Sequence, residues 1–551
     1  MHCRPEREPG ERFCDRGNRS PAGDPLMMGP KIVTSAQMHR VDECSIREHG
    51  IPGYELMDRA GARVVEAIRD RWDGLEGLRI AVVCGKGNNG ADGLVVARRL
   101  KHAGVEVDLY LLEPPDRFGE DATVHLDRLA EVDLTPRILD TTTVADFSEC
   151  DLIVDAILGT GVQGPVRTPQ ATIIDAVNSS RCPVVAIDLP SGVDGDTGIL
   201  PGPAIRAHLT VTFDLPKIAH LFHPARGQCG DLALTPIGFP QAAIDACESE
   251  LRLLTQEWVG ANLPEREATA HKGSCGSVAV IAGSAGMTGA AALTAQGAMR
   301  AGAGRVRVGV PRSLHDVLET KVTEAMTRPL PEVRRRRCLS VRALGDVLEL
   351  VGSSDVAAVG PGLGRHRETM ELVRRLFAST NLPPIVVDAD GLFAIGDDLS
   401  ILQRMKTPVV MTPHSGEMAR LSGWSVQQVG EDPVGVTRQV AQCTEAVVLL
   451  KGSPTVIASA DGRTFVNPTG NAGMATAGAG DVLTGLIAGL MAQGVAGQDA
   501  SCMGAYLHGV AGDRSRDDLG EWGMVAGDLL DRLPQSYLDA RHAFQSTQIG
   551  R

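Results

Sequence analysis

Two successive series of short, unbroken apolar runs, each run ending in a polar glycine-rich turn, constrain this chain more than any other feature. In the first series the runs are residues 78–84, 105–112, 151–158, 183–190 and 209–214. In the second they are residues 277–282, 305–310, 356–359, 384–388, 408–411 and 446–450. A strand with one face in water alternates apolar and polar residues, whereas a strand buried on both faces reads as a continuous β-branched run. Such runs separated by helix-like segments predict α/β architecture, with parallel sheets covered by helices on both sides. Crossover handedness then favours a doubly wound, Rossmann-like arrangement for the first series. Between the two series lies a charged stretch, residues 237–266, with Pro264 and no long strand. No repeat relates the halves, so two different α/β domains are expected, at residues 31–245 and 255–545. Residues 1–30 are rich in Arg, Glu, Gly and Pro and read as a disordered extension, without the roughly 7–15-residue apolar core of a secretory signal.

Composition narrows the partners. The net charge of -14 over 551 residues argues against sequence-independent binding to nucleic acid or anionic membranes. It leaves phosphorylated small molecules open, because local backbone donors hold those. Twelve cysteines without CxxC pairs read as reduced thiols of a cytoplasmic protein. The most apolar long stretch, residues 479–493, carries Asp481 and is too short to span a bilayer. No HExxH or GxSxG occurs, so a zinc hydrolase or serine hydrolase is unsupported. The run Arg334-Arg335-Arg336-Arg337 is expected to be a solvated loop.

In open parallel sheets ligands sit beyond the carboxyl ends of the strands, and the polar turns of the first series fall there. They are Gly85-Lys86-Gly87-Asn88-Asn89-Gly90-Ala91-Asp92-Gly93, expected as a loop before a helical segment at residues 94–100, then Asp155 with Gly159-Thr160-Gly161-Val162-Gln163-Gly164-Pro165. Asp188-Leu189-Pro190-Ser191 and Asp214-Leu215-Pro216-Lys217 follow. Glycines allow backbone N–H groups close to a phosphate, and a helix N-terminus adds positive potential. Convergence of all four turns on one crevice is a stronger signal than any one of them.

These motifs are specific. GNNGADG, DAILGTGVQGPVR, DLPSGVDGDTG and the upstream ELMDRAG resemble the NAD(P)H-hydrate epimerase domain. That family is Rossmann-like and interconverts the R and S epimers of NAD(P)H hydrated at C6 of the nicotinamide ring (NADHX and NADPHX). The resemblance implies that Asn88, Asn89, Gly90, Ala91 and Asp92, with Gly159, Thr160, Gly161, Val162, Gln163, Gly164 and Pro165, hold the substrate. It implies Asp188 as the proton acceptor at the nicotinamide end, and Asn89, Asp155 and Ser191 as a K+ site of hard oxygen ligands. A carboxylate in a closed crevice is expected to have its pKa raised toward neutrality, which suits Asp188 to that work.

The second series ends on Asn471-Ala472-Gly473-Met474-Ala475-Thr476-Ala477-Gly478-Ala479-Gly480-Asp481, opening a helix. Small residues let successive N–H groups curl round an anion. An aspartate placed next suits a general base acting on a hydroxyl that attacks a terminal phosphoryl group. GAGD at a helix start resembles the ribokinase-like superfamily, which alone leaves the substrate open. HKGSCGSVAVIAGS, MTGAA, GPGLG, VVDADGL, TPHSGEMARL, LKGSPTVI and NAGMATAGAGDVLTG together are similar to the ADP-dependent NAD(P)H-hydrate dehydratase domain over nearly all of residues 255–545. The resemblance implies that Ala290, Gly364, His414 and Asp481 contact the hydrated nucleotide. Lys451, Gly452, Ser453, Pro454, Thr455 and Gly480 would hold ADP, with Mg2+ on its phosphates. For His414 a substrate contact and a turn-ordering role stand side by side. A homo-oligomer is expected.

Two other readings compete. One is a vitamin kinase fused to a regulatory domain, which would release a stable phosphorylated product. The other makes the first domain a non-catalytic binding module, as in RNA-decapping scaffolds, against which Asn89 and Asp188 speak. ADP and ATP both expose a terminal phosphoryl group and are not distinguished by the residues.

Overall fold

The computed structural model describes residues 29–139, 147–162, 164–396 and 398–549. The expected extension, apart from its last two residues, and Gln163 lie outside these.

The first unit is a seven-stranded, all-parallel sheet of β1 (Arg79–Cys84), β2 (Glu106–Leu111), β3 (Arg137–Ile138), β4 (Leu152–Ala156), β5 (Val184–Ile187), β6 (Leu209–Phe213) and β7 (Asp231–Thr235). Its order is β3-β2-β1-β4-β5-β6-β7, the doubly wound pattern that reverses between β1 and β4. The continuous apolar reading has a direct cause. In β1, Ile80, Val82 and Cys84 pack under the helices Gly53–Arg71 and Asn88–His102, while Ala81 and Val83 pack on the opposite face against Ile173, Ile174 and Val177.

The second unit holds β8 (Leu251–Leu253), β9 (Ser277–Ile281), β10 (Arg305–Pro311), β11 (Met326–Leu330), β12 (Glu332–Val333), β13 (Cys338–Leu339), β14 (Val356–Val359), β15 (Ile385–Val387), β16 (Val409–Met411), β17 (Val447–Leu450), β18 (Thr455–Ala458) and β19 (Thr464–Asn467). Ten of these form one sheet, β11-β10-β9-β14-β15-β16-β17-β18-β19-β8. Pairing is parallel except along β17-β18-β19, which turn back antiparallel. The β12-β13 hairpin carries Arg334–Arg337 at its exposed tip, as a solvated run should lie.

Every expected strand forms, most of them trimmed at the ends, with β14 unchanged and β10 longer by Pro311. The strands without a sequence signal are β3, β7, β8, β11, β18 and β19 and the small hairpin. Several are edge or short elements such as β7, whose residues are only partly buried and read DLALT. Residues 237–266 hold no long strand, only the three-residue β8, which closes the edge of the second sheet.

The chain start ties the two units together. Leu253 N–H donates to Pro30 C=O at 3.0 Å, Ile32 N–H to Leu251 C=O at 2.8 Å, and Val33 N–H to Pro216 C=O at 2.9 Å. Ile32, Leu221 and Phe222 then pack with Leu251, Val456 and Val466 of the second unit. No helix among the described residues is long and apolar enough to cross a membrane.

Candidate functional sites

The first site lies where the strand order reverses. Gly85, directly after β1, is so close to the chain after β4 that a Cβ on it would meet Ile157 O at 2.0 Å. The following helix starts at Asn88, six residues before the expected start, with Gly87 as its cap. Its first i→i−4 bond is Ala91 N–H to Gly87 C=O at 3.1 Å, which leaves the N–H groups of Asn88, Asn89 and Gly90 without an intrahelical acceptor. That makes a ready anion site. Gly90 is required there, because a Cβ would stand 1.7 Å from Gly85 O.

A cavity of about 140 Å³ opens beside this helix, lined by Asn88, Asn89, Asp92, Gly159, Thr160 and Asp188 among the expected residues. Ligand pockets commonly measure roughly 300–1,000 Å³, so this one suits one ring-bearing end of a larger molecule. Ala91 is fully buried against the sheet, and Gly161, Gly164 and Pro165 are exposed on the loop beyond the cavity, with Val162 half-buried. Their contribution is confined to backbone or rim.

Asp188 follows β5 with φ +62°. Leu189 N–H reaches back to Ile187 C=O at 2.8 Å, a γ-turn in the sterically costly sense for a residue with a Cβ. Strain of this kind persists only when its surroundings hold it. His220 Nδ1 accepts Lys217 N–H at 3.0 Å, which puts the ring proton on Nε2, and Nε2–H donates to Asp188 C=O at 2.7 Å. Burial, then the nearby Lys217 ammonium, pulls the His220 pKa down to about 4, so the ring stays neutral. Lys217 Nζ donates to Asp188 Oδ1 at 2.5 Å, and Thr212 Oγ1 donates to the same oxygen at 2.8 Å.

This corrects the expectation of a raised Asp188 pKa. Burial pushes the carboxyl up, but Lys217 and its neighbours outweigh burial and hold it below the ordinary range. The strongly raised carboxyl is Asp92, through burial and then the charges of Asp188 and Asp42. Asp42 and Lys217 were not assigned from sequence. Lys217 stood in a quoted motif, and Asp42 is one turn on from Met38, on the buried side of the helix Ser35–Arg47.

Asn89, Asp155 and Ser191 do come together. Asn89 Nδ2 donates to Leu158 C=O at 2.8 Å, and Ser191 Oγ donates to Asp155 Oδ1 at 2.6 Å. Asn89 Oδ1 is buried without a partner. Burial raises the Asp155 pKa to about 6, opposed by hydrogen bonds from Ser191 and Ile157, and among the described residues no cationic side chain pairs with it.

The second site gathers at the carboxyl ends of β15 and β17 and one helix start. The helix Ala479–Ala492 is capped by Gly478 at φ +97°, so Asp481 is its third residue and not the cap. Nearly every residue of this helix is buried, and small residues let it approach the helix Thr288–Arg300 backbone to backbone: Gly485 lies against Thr294 O, where a Cβ would sit at 2.0 Å. Its first turn leaves the N–H groups of Gly480 and Asp481 without intrahelical acceptors. Lys451 Nζ donates to Asp388 Oδ1 at 2.8 Å and stands beside Gly480, while Thr484 Oγ1 donates to Asp388 Oδ2 at 2.8 Å. Burial, then the charge of Asp388, raises the Asp481 pKa to about 7, with Lys451 opposing. Burial works against the Lys451 charge, but the carboxylates of Asp388, Glu417 and Asp481 overcome it and raise its pKa. Asp388 and Thr484 were not assigned a role from sequence, although Asp388 ends a predicted strand.

Ala290, in the first turn of the helix Thr288–Arg300, packs against the loop after β14 that carries Gly364. A Cβ on Gly362 would stand 2.9 Å from that of Ala290, and Gly364 at φ +77° donates its N–H to Asp390 at 2.8 Å. Gly452, Ser453 and Pro454 lie beyond Lys451 on a largely accessible loop that runs into Thr455, the first residue of β18. His414 caps the helix Ser415–Ser422: its Nδ1 accepts from Gly416 and Glu417 N–H, and Glu417 returns the bond to His414 N–H at 2.9 Å. The turn-ordering role is therefore present, with Nε2 3.5 Å from Glu417 Oε1.

A family profile described as NAD(P)H-hydrate dehydratase matches residues 278–535, and one described as YjeF-related protein N-terminus matches residues 53–219. Over 510 residues the chain is 44% identical to the bifunctional NAD(P)H-hydrate repair enzyme Nnr of Moorella thermoacetica, covering 91% of this chain and 96% of that protein. The enzyme of the same name from Thermofilum pendens is 37% identical over 522 residues, covering 94% and 98%. The chain belongs to the bifunctional NAD(P)H-hydrate repair enzymes. A solved Bacillus subtilis ADP/ATP-dependent NAD(P)H-hydrate dehydratase, co-crystallised with ATP/Mg2+, aligns over 52% of this chain and 97% of that one at 30% identity, with TM-score 0.45. In this repair enzyme the seven-stranded unit is the epimerase part and the ten-stranded unit the dehydratase part.

Proposed function

We propose that residues 31–245 interconvert the R and S epimers of NADHX and NADPHX, and that residues 255–545 dehydrate the S epimer at the expense of ADP, forming NAD(P)H, AMP and phosphate. The observation that carries this is the group at Asp481: a carboxyl of pKa about 7 set among open N–H donors beside the Lys451–Asp388 pair. Asp481 takes the proton of the C6 hydroxyl, whose oxygen attacks the terminal phosphorus of ADP. The P–O bond to AMP breaks with its electrons on AMP, while Lys451 and the Gly480 and Asp481 N–H groups stabilise the transferring charge. Phosphate is a far better leaving group than hydroxide. Its departure from C6 with loss of a C5 proton restores the dihydropyridine. Mg2+ would arrive on the nucleotide phosphates and neutralise them. Ala290, Gly364 and His414 face the hydrated nucleotide, and Gly452–Thr455 the adenine nucleotide.

In the epimerase part the open N–H groups of the helix Asn88–His102 take the pyrophosphate, and Asp188, kept ionised by Lys217, accepts a proton at the hydrated ring. Asn89, Asp155 and Ser191 would hold K+: an orphaned amide oxygen and a buried carboxyl without a cation suit a hard monovalent ion. Bound there, it would supply positive charge and tie the loops after β1, β4 and β5. The work is cytoplasmic, on small molecules, and the chain forms a homo-oligomer.

Purified protein incubated with NADHX and either ADP or ATP tests the reading through recovery of reduced-nicotinamide absorbance. Recovery beyond the S fraction of an R/S mixture is expected in potassium buffer. No recovery with either nucleotide would refute it.

A further inference from the structure

Three carboxyls lining the epimerase cavity, Asp42, Asp92 and Asp121, carry no proton in the reading above. The titratable and charged groups lining it are His39 and Asp42 from the helix Ser35–Arg47, Asp92 from the helix Asn88–His102, Asp121 from the helix Glu120–Asp127, Asp188 after β5 and Lys217 after β6. The single ammonium is already committed, since Lys217 Nζ holds Asp188 Oδ1 and Thr212 Oγ1. Among the described residues neither Asp42 nor Asp92 has a hydrogen-bond or ion-pair partner. Asn89, 8% exposed and lining the same cavity, also keeps its Oδ1 unpartnered. Protein interiors seldom leave polar groups idle, and three unpaired ones around one ring-sized cavity point to a polar ligand inside it. Burial raises the pKa of both carboxyls. For Asp92 the charges of Asp188 and Asp42 add to it; for Asp42, His39 and Lys217 oppose it and Asp188 adds. Where neighbouring titratable groups are driven apart in this way, one serves as acid and the other as base.

Resting on the epimerase reading, we propose that Asp42 and Asp92 are the acid side of the epimerase, a carboxyl pair that donates a proton to the C6 hydroxyl while the Lys217-bound Asp188 takes one from water. The C6–O bond breaks with its electron pair on oxygen, which leaves as water with the carboxyl proton. The N1 lone pair closes a C6=N1 double bond, giving a planar C6. Solvent water then adds to the other face, and its proton passes to Asp188. A proton returned through solvent from Asp188 to the carboxyl pair resets the site, so the reaction is a net isomerisation.

The test measures R-to-S conversion by chromatography without nucleotide, for Asp42→Asn, Asp92→Asn and Asp188→Asn. An amide keeps the shape and loses the transferable proton. Each of the first two is expected to lower kcat by about 100-fold or more, the usual range for general acid–base catalysis, with KM changed less than about threefold. Processing of the S epimer with ADP, measured on the same samples, should stay normal and shows that the protein is folded. Wild-type kcat should fall at alkaline pH as the pair loses its proton, and residual activity in the variants should lack that limb. Loss of less than tenfold in either variant, or an unchanged alkaline limb, overturns the proposal. If the wild type itself converts no R epimer, the epimerase reading fails; if Asp188→Asn alone loses activity, that reading stands without the acid pair.

Discussion

At the scale of residues, the dehydratase site places a carboxyl in a setting that costs stability and serves chemistry. Asp481 has a folded pKa of about 7 against an ordinary 3.8, so the folded state holds its proton more tightly than the unfolded chain. Stability is therefore lost progressively as pH rises from about 4 to about 7, and levels off above. Asp481→Asn should raise Tm by several degrees at pH 8, with a smaller gain at pH 5, while dehydratase kcat falls by about 100-fold or more. Scanning calorimetry at both pH values checks the first, and a lower Tm at pH 8 would show that the carboxylate is not strained. In the wild type the S-epimer rate should rise with pH through about 7, because the base must be ionised. Lys451→Met is expected to do the opposite to stability. It leaves the Asp388 carboxylate buried and unpaired, a loss of about 3–5 kcal/mol for broken buried pairs. Urea unfolding followed by far-UV circular dichroism measures it.

At the scale of elements, a helix start does the binding work in each unit, and glycine decides how near the helix can stand. Gly90→Ala would drive a Cβ into Gly85 O, a backbone atom that cannot move alone, so the helix Asn88–His102 must shift off β1. Overpacking costs about 1–3 kcal/mol or more. The expected outcome is loss of R-epimer processing with S-epimer dehydration retained, read from the two assays on one sample. Equal loss of both would mean that the units do not act separately. The GNNGADG motif was legible because such glycines have few other uses after a β-branched run. The helix start was misplaced by six residues because two asparagines and two glycines carry poor helix propensity, which tertiary packing against Gly85 overrides.

Across the whole molecule, the segment Pro30–Val33 spans the seam, hydrogen-bonded to Leu251 and Leu253 on one side and Pro216 on the other. It joins the loop of Lys217 to β8, and β8 pairs with β19, whose continuation is the loop leading to Asp481. Ile32, 2% exposed, is packed in the apolar cluster of that seam. Ile32→Asp puts an unpaired charge there. Calorimetry is expected to resolve two unfolding transitions where the wild type shows one, with each activity retained at low temperature. One unchanged transition would show that the seam does not couple the units.

From the sequence alone came the two α/β units, most of the doubly buried strands, the glycine-rich turns at their ends, and Asp188 and Asp481 as candidates for the chemistry. All of these are local: apolar run length, glycine at a strand end, a carboxylate at a helix start. What depends on distance through space did not follow. That Lys217 depresses Asp188, that Asp388 raises Asp481 and fastens Lys451, and that Asp42 reaches the same cavity as Asp92 are properties of groups far apart in the chain. A pKa is set by burial and by the nearest charges, and only the folded chain brings those together. The expectation of a raised Asp188 failed on that point. A closed crevice raises a carboxyl only until an ammonium is buried beside it, and the tertiary structure places Lys217 at 2.5 Å.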